Sequence, residues 1–169
     1  RQVAERTADF AESEARFRLL FNSMTVGFAL HEIICDAKGK PCNYWFLEVN
    51  PAFEEMTGLK NAEIVGRTVL TVLPKIENVW IERYGAVALT RQPQRFEEYS
   101  AELDRYYDVV AYSPRAGQFA VLVTDVSARR QLTSQLMRRT ELQRLLVDMA
   151  TRFINLPLPQ CDAAINEEL

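Results

Sequence analysis

The residue types with chemical potential in this chain are one histidine, His31, three cysteines, and a surplus of carboxylates, which raise acid–base, metal and thiol chemistry as the first possibilities. Each lacks the partners it would need. A single histidine supplies no Cys/His set at zinc spacing, and no metal site is expected. His31 falls in a β-rich run, not on a helix or loop beside a serine and an aspartate, so a hydrolytic triad is not apparent. Its remaining readings are a hydrogen-bonded strand histidine and a haem ligand. Cys35, Cys42 and Cys161 form no CxxC pair and are odd in number, so they cannot all pair within one chain, which suits a reducing cytoplasm. The acidic neighbours Glu54/Glu55 and Glu97/Glu98 read as solvated faces, not as an acid–base pair. Six glycines are scattered as turn and cap residues and build no phosphate-cradling loop. Kinase, cyclase and phosphodiesterase motifs are absent, so no enzyme is expected in this segment. The aromatic residues remain. Alternation on strands and helical spacing make most of them a packed core, while Tyr and Trp tips offer polar groups that could orient a small molecule.

These residues need a scaffold, and the bulk figures allow one core. Of the 169 residues, 48% are apolar, and the net charge of −3 gives no field to attract nucleic acid or anionic lipid. The longest apolar runs, such as Phe119 to Val123, fall far short of the ~20 residues that span a bilayer, so no membrane segment is expected and a cytoplasmic location is. The chain begins at Arg1 and both ends run out in helical patterns, which reads as a piece of a longer protein. Val3 to Met24 lacks Pro and Gly and sets Phe10, Phe17, Leu20, Phe21 and Met24 on one side of an amphipathic helix. That face can cover the domain's own sheet or meet a partner helix. Val26–Ile34 and Cys42–Val49 are β-rich and flank the turn sequence DAKGKP. Thr68–Leu73 is a short apolar segment, and Glu77–Thr90 has helical spacing. Arg95–Leu103, Tyr106–Ser113 and Gln118–Val126 are three further strands. Ala128–Phe153 is a second long amphipathic helix with Leu132, Leu136, Leu142, Leu145, Leu146, Met149 and Phe153 at helical intervals.

Two junctions carry a family likeness. In Phe46–Gly58, FLEVNPAFEEMTG, Asn50 can cap a helix whose first residue is Pro51, and Gly58 can close it in the left-handed conformation. Asn61 to Gly66 then opens another short segment. At the far end Thr124–Arg130, TDVSARR, places Asp125 to accept hydrogen bonds or an arginine at the sheet edge, with Ser127 as a hydroxyl cap for the exit helix. This strand–cap–short-helix junction and the closing Asp-Val-Ser, a variant of an Asp-Ile-Thr signature, resemble a PAS domain over about Glu14 to Arg130. The tail from Leu142 to Leu169 resembles the lead-in helices of a GAF domain.

The resemblance implies an α+β fold: a PAS-like five-stranded antiparallel sheet with short helices on one face, flanked by amphipathic N- and C-terminal helices. It implies residues 1–24 as an N-terminal dimerisation helix, 25–127 as the sensory domain, and 128–169 as a signalling helix and the start of a truncated GAF-like region. A cavity is implied between the helices and one sheet face, with Phe46, Phe53, Met56, Trp80, Tyr84, Tyr99, Tyr107 and Phe119 as its lining. Asp125 and Ser127 are implied as the signal relay and Asn50 as a structural cap. The cofactor is left unknown. Haem in such domains is usually held by a histidine on the long helix, and Glu77–Thr90 has none; flavin adducts need a cysteine among the short helices, and Asn61–Pro74 has none. The expected function is a regulatory sensor that binds a small-molecule cue and passes it through its flanking helices to an output domain in signal transduction, as a homodimer. The alternative is a ligand-free dimerisation scaffold with a filled core.

Overall fold

In a computed structural model, residues 2–154 are described. The first element, α1 (Gln2–Ser23), leads into the hairpin β1 (Gly27–Cys35) and β2 (Pro41–Val49). The helices α2 (Pro51–Thr57), α3 (Asn61–Ile64), α4 (Val69–Val72) and α5 (Asn78–Thr90) follow. Then come β3 (Gln94–Ser100), β4 (Arg105–Tyr112), β5 (Gln118–Asp125) and the long α6 (Ser127–Ile154). The five strands form one antiparallel sheet in the order β2-β1-β5-β4-β3, so the two hairpin sets meet through β1 and β5. The expected α+β fold with its five-stranded antiparallel sheet is what the chain adopts. Among the described residues, those up to Ser127 form one compact unit and those from Ala128 a second.

Alternation sorts the sheet into two faces. Ala29 and His31 on β1, Tyr44 and Phe46 on β2, Val109 on β4 and Phe119 and Val121 on β5 are all buried on the face covered by α2 to α5. A register shift between Leu30 and His31 leaves Leu47 as an extra residue in β2, so Phe46 and Val49, three apart, both reach the core. The outer edge of β2 is covered by a loop: Gly66 N–H donates to the Phe46 carbonyl at 2.9 Å, and Phe46 N–H donates to the Arg67 carbonyl at 3.0 Å. Gly85 brings α5 against the start of β2 with no side chain between, since a Cβ there would stand 2.2 Å from Pro41 Cγ.

Two expectations change in detail. The apolar Thr68–Leu73 segment contains a single helical turn, α4. The third strand stops at Ser100, short of Leu103, because Asp104 takes a left-handed φ of 51° and turns the chain early. At its C-terminal end α1 touches its own domain: Phe21 packs edge-on against Phe28 at 5.3 Å, while Phe17 and Leu20 remain exposed. The helix α6 runs unbroken through Leu142, and its apolar residues from Leu132 to Met149 are exposed. The stretch after Ile154, with Cys161 and most of the GAF-like tail, lies outside the described residues.

Candidate functional site

The helices and the inner sheet face leave a cavity of ≈ 60 Å³ between them. Its floor is aromatic because β1 and β2 point His31, Tyr44 and Phe46 inward, and α5 adds Trp80 and Tyr84 one turn apart. Strands β4 and β5 supply Tyr107, Val109, Val121 and Val123. The half-buried Thr57, Leu59, Ile76 and Leu103 belong to the wall at its mouth. Two carboxylates stitch that mouth. Glu77 accepts from Ala101 N–H at 2.7 Å and from Trp80 Nε1 at 3.1 Å, and Glu102 accepts from Lys75 N–H at 2.9 Å.

His31 sits at the centre of the rings, 2% exposed. It stacks on Phe119 at 4.6 Å and meets Tyr44 edge-on at 4.9 Å and Phe46 at 5.0 Å. Burial pulls its pKa to about 3, against a smaller opposing pull from the Phe119 carbonyl, so the imidazole is neutral at ordinary pH. Among the described residues, Nδ1 has no hydrogen-bond partner. Burial also pushes the Tyr44 and Tyr84 hydroxyls well up, and at Tyr84 the neighbouring Tyr44 adds to the push. The wall therefore carries neutral polar groups only, since no Lys, Arg, Asp or Glu lines it.

Of the residues expected at the cavity, Phe46, Phe53, Trp80, Tyr84 and Tyr107 lie on its wall. Three do not. Tyr99 pairs with Tyr106 across β3 and β4 while Tyr107 pairs with Glu98, so Tyr99 and Tyr107 stand on opposite faces. The Tyr99 hydroxyl donates to Asp104 at 2.6 Å instead. Phe119 is fully buried beneath the imidazole, as core. Met56 contributes its backbone: its carbonyl accepts from the Tyr107 hydroxyl at 3.3 Å and from Arg105 Nη1 at 2.8 Å. His31 and Tyr44 are the aromatic wall residues among those the sequence reading left out. The signal that points to them is parity, since His31 is two residues from Ala29 and Tyr44 two from Phe46.

Both junctions are built from side-chain bonds. Asn50 is fully buried, and its Oδ1 accepts from Phe28 N–H at 2.8 Å and Phe53 N–H at 2.9 Å, the second being the N-cap bond of α2. Its Nδ2 donates to the Val26 carbonyl at 3.0 Å and the Phe21 carbonyl at 3.4 Å, tying α1, β1 and α2 together. Gly58 ends α2 at φ 77°. At the exit, Asp125 Oδ2 accepts from Arg105 Nη1 at 3.0 Å and Oδ1 from Ser127 N–H at 2.9 Å. Ser127 Oγ accepts from Tyr106 N–H on β4 at 2.9 Å. Partial burial would lift the Asp125 pKa, but the Ser127 hydroxyl and amide and the Arg105 guanidinium outweigh it and hold the carboxyl below its ordinary range. Among the described residues, no group of three or more His, Cys, Asp or Glu could hold a metal, and no helix is long and apolar enough to cross a membrane.

The family model described as "PAS domain" matches residues 15–89. Among solved structures the chain is similar to the PAS domain of an HTR-like protein from Haloarcula marismortui, at 18% identity and a TM-score of 0.50, over 72% of this chain and 98% of that one. It is also similar to a domain of the sensory box sensor histidine kinase/response regulator from Geobacter sulfurreducens, at 22% identity, 67% and 94% coverage and a TM-score of 0.46. A third likeness is the PAS domain of Bordetella pertussis BvgS, at 16% identity, 80% and 98% coverage and a TM-score of 0.43. No curated protein matches the sequence. Residues 15–89 match the PAS domain family model, and the five-stranded antiparallel sheet with its helical cover has a PAS-like fold.

Proposed function

We propose that this PAS domain is a regulatory sensor in which a small molecule in the cavity alters the junction at Asp125 and, through it, the start of α6 and an output domain beyond. One observation carries the reading. An unbroken set of hydrogen bonds runs from the cavity wall at Tyr107 to the Met56 carbonyl, to Arg105, to Asp125 and to Ser127, the first residue of α6. A guest that moves Tyr107 by a fraction of an ångström disturbs bonds that hold the exit helix, and a two-state junction converts that disturbance into a shift of populations. Residues 25–127 form the sensory part and 128–169 the outgoing segment. Cys35 and Cys42 are free thiols, as a cytoplasmic setting would keep them. No reaction is assigned to the segment, PAS domains being typically non-catalytic sensory modules.

Amide hydrogen exchange tests the relay. A molecule that enters the cavity should change protection at the Tyr106 and Ser127 amides at least threefold in the native chain, and the effect should vanish in Asp125→Ala. Equal responses in the two proteins would sink the relay.

A second reading has its own observation. Leu132, Leu136, Leu142, Leu145, Leu146 and Met149 are exposed along α6, a face that suits a second copy of the same helix. In that case the module is a homodimerisation scaffold. Sedimentation of the whole chain against residues 25–127 separates the two readings: a dimer lost on trimming, with no exchange response to any cavity guest, favours the scaffold.

A further inference from the structure

The turn end of the β1–β2 hairpin carries two free thiols that no part of the sensor reading uses. Cys35 pairs with Pro41 and Ile34 with Asn43, so Cys42 is the extra residue of a bulge and stands opposite the peptide that joins Ile34 to Cys35. Its sulfur reaches that peptide, since Cys42 Sγ donates to the Ile34 carbonyl at 3.4 Å. Parity puts both side chains on one face: Cys35 is two residues from Ile33 and Cys42 two from Tyr44, and both of those residues pack into the core. Facing residues of an antiparallel pair have Cα atoms about 4.5–5.5 Å apart, within the ~4.4–6.8 Å that a disulfide spans. The turn between the two cysteines is already fixed. Asp36 Oδ1 accepts from the Lys38 and Lys40 amides at 2.8 and 2.9 Å, and Asp36 N–H donates to the Lys40 carbonyl at 2.8 Å, so joining the strands here closes no loose loop. Accessibility divides the pair into two roles. Cys42 is exposed and can meet a solute, while Cys35 is half-buried beside it.

We propose that Cys35 and Cys42 are a modification site for a hydroperoxide, which converts them reversibly into one cross-strand disulfide at the turn end of the hairpin. The Cys42 thiolate attacks a peroxide oxygen, the O–O bond breaks, and the other oxygen leaves with a proton as water or an alcohol, so that Cys42 becomes a sulfenic acid. The Cys35 thiolate then attacks that sulfur, the S–S bond forms, and hydroxide leaves with a proton as water. Two thiols thereby lose two electrons and two protons, and the hydroperoxide gains them. A small thiol reverses the step by exchange and is itself oxidised to a disulfide. The S–H···O contact with Ile34 is weak and costs little to surrender. The bridge clamps the end of β2 at Pro41, where Gly85 lets α5 approach the strand. The site stands apart from the cavity and does not depend on what the cavity holds.

Peptide mapping of the whole chain is the test, because trypsin cuts after Lys38 and not after Lys40, which precedes Pro41. Residues 19–38 and 39–60 are then separate peptides, the first with Cys35 and the second with Cys42, and only a disulfide joins them. Brief exposure to hydrogen peroxide, followed by N-ethylmaleimide, should give the joined peptides as the main oxidised product. The reactive thiols should fall from three to one and return to three with dithiothreitol. In Cys35→Ser the second step has no thiol, so dimedone should trap Cys42 sulfenic acid about fivefold more than in the native chain. Peptides that stay apart after peroxide, with Cys42 either reduced or carried on to sulfinic acid, overturn the proposal. A bridge from either cysteine to Cys161 as the main product overturns it too, as does equal dimedone trapping in the two chains. The peptide masses come from the native chain and decide the matter whether or not the variant folds.

Discussion

The chain passes from strand to helix at two marked junctions, Asn50 and Asp125, and opposite chemistry holds them. At Asn50 a neutral amide, fully buried, makes four bonds to three separate elements. At Asp125 a carboxylate with a side chain about a quarter exposed faces an arginine nearly half exposed. Buried neutral bonds are costly to lose and indifferent to salt and to mild acid. Half-exposed charged ones add little stability and respond to salt, acid and small displacements of their partners. The junction that most clearly marks the fold is thus the poorer place for a signal, and the looser one is the better.

The largest test of that contrast is Asn50→Ala. It strips the Phe28 amide and the Val26 carbonyl of their side-chain partner and removes the α2 cap, so it should cost about 3–4 kcal/mol in urea unfolding. Acid acts next on a titratable group outside both junctions, the buried imidazole of His31. His31 has a folded pKa of about 3 against an ordinary 6.5, so the unfolded chain takes up the proton first as pH falls through 6.5. Stability should therefore drop by about 2.7 kcal/mol between about pH 6.5 and 4.5, and His31→Phe should remove that slope. Asp125, held below its ordinary range, stays ionised over that window and gives up its contribution only at lower pH.

Asp125→Ala should cost only about 1 kcal/mol of global stability, yet raise exchange at the Ser127 amide about tenfold, because that amide loses its acceptor. A global cost as large as that of Asn50→Ala would erase the distinction between the junctions. The smallest effect is that of salt. Raising NaCl from about 0.05 to about 0.5 M should loosen the Arg105–Asp125 contact by a few tenths of a kcal/mol, read as faster Ser127 exchange with no change at the Phe53 amide.

What was legible in the sequence follows the range of the forces. Asn50, Pro51 and Gly58 act within one helix and its ends, so their roles can be written from neighbouring residues. Five strands and their order along the chain followed from composition and turn chemistry in the same local way. Which face a residue takes is different, because it depends on register between strands. Tyr99 and Tyr107 look equivalent in isolation, and only the pairing of Tyr99 with Tyr106 separates them. The extra residue at Leu47 shifts parity within β2, so counting by twos from Tyr44 reaches Phe46 but misses Val49. His31 belongs to the cavity because four rings from three other elements surround it, a fact that no local window contains. The bonds from Met56 to Arg105 and Tyr107 are likewise made by a carbonyl, which carries no residue-specific mark.

Gly85 has a mechanical consequence. Because α5 rests there almost directly on Pro41, with no side chain to compress, the helix has a fulcrum near its middle. Trp80 and Tyr84, on the cavity wall, lie on one arm, and Ala88 and Thr90 on the other. A guest that lifts the first arm presses the second toward the Gly117 turn, where Gly117 N–H reaches the Ala88 carbonyl at 3.4 Å. Widening the cavity would then tip α5 as one rod about Gly85, limited by how closely Ala88 can approach the Gly117 turn.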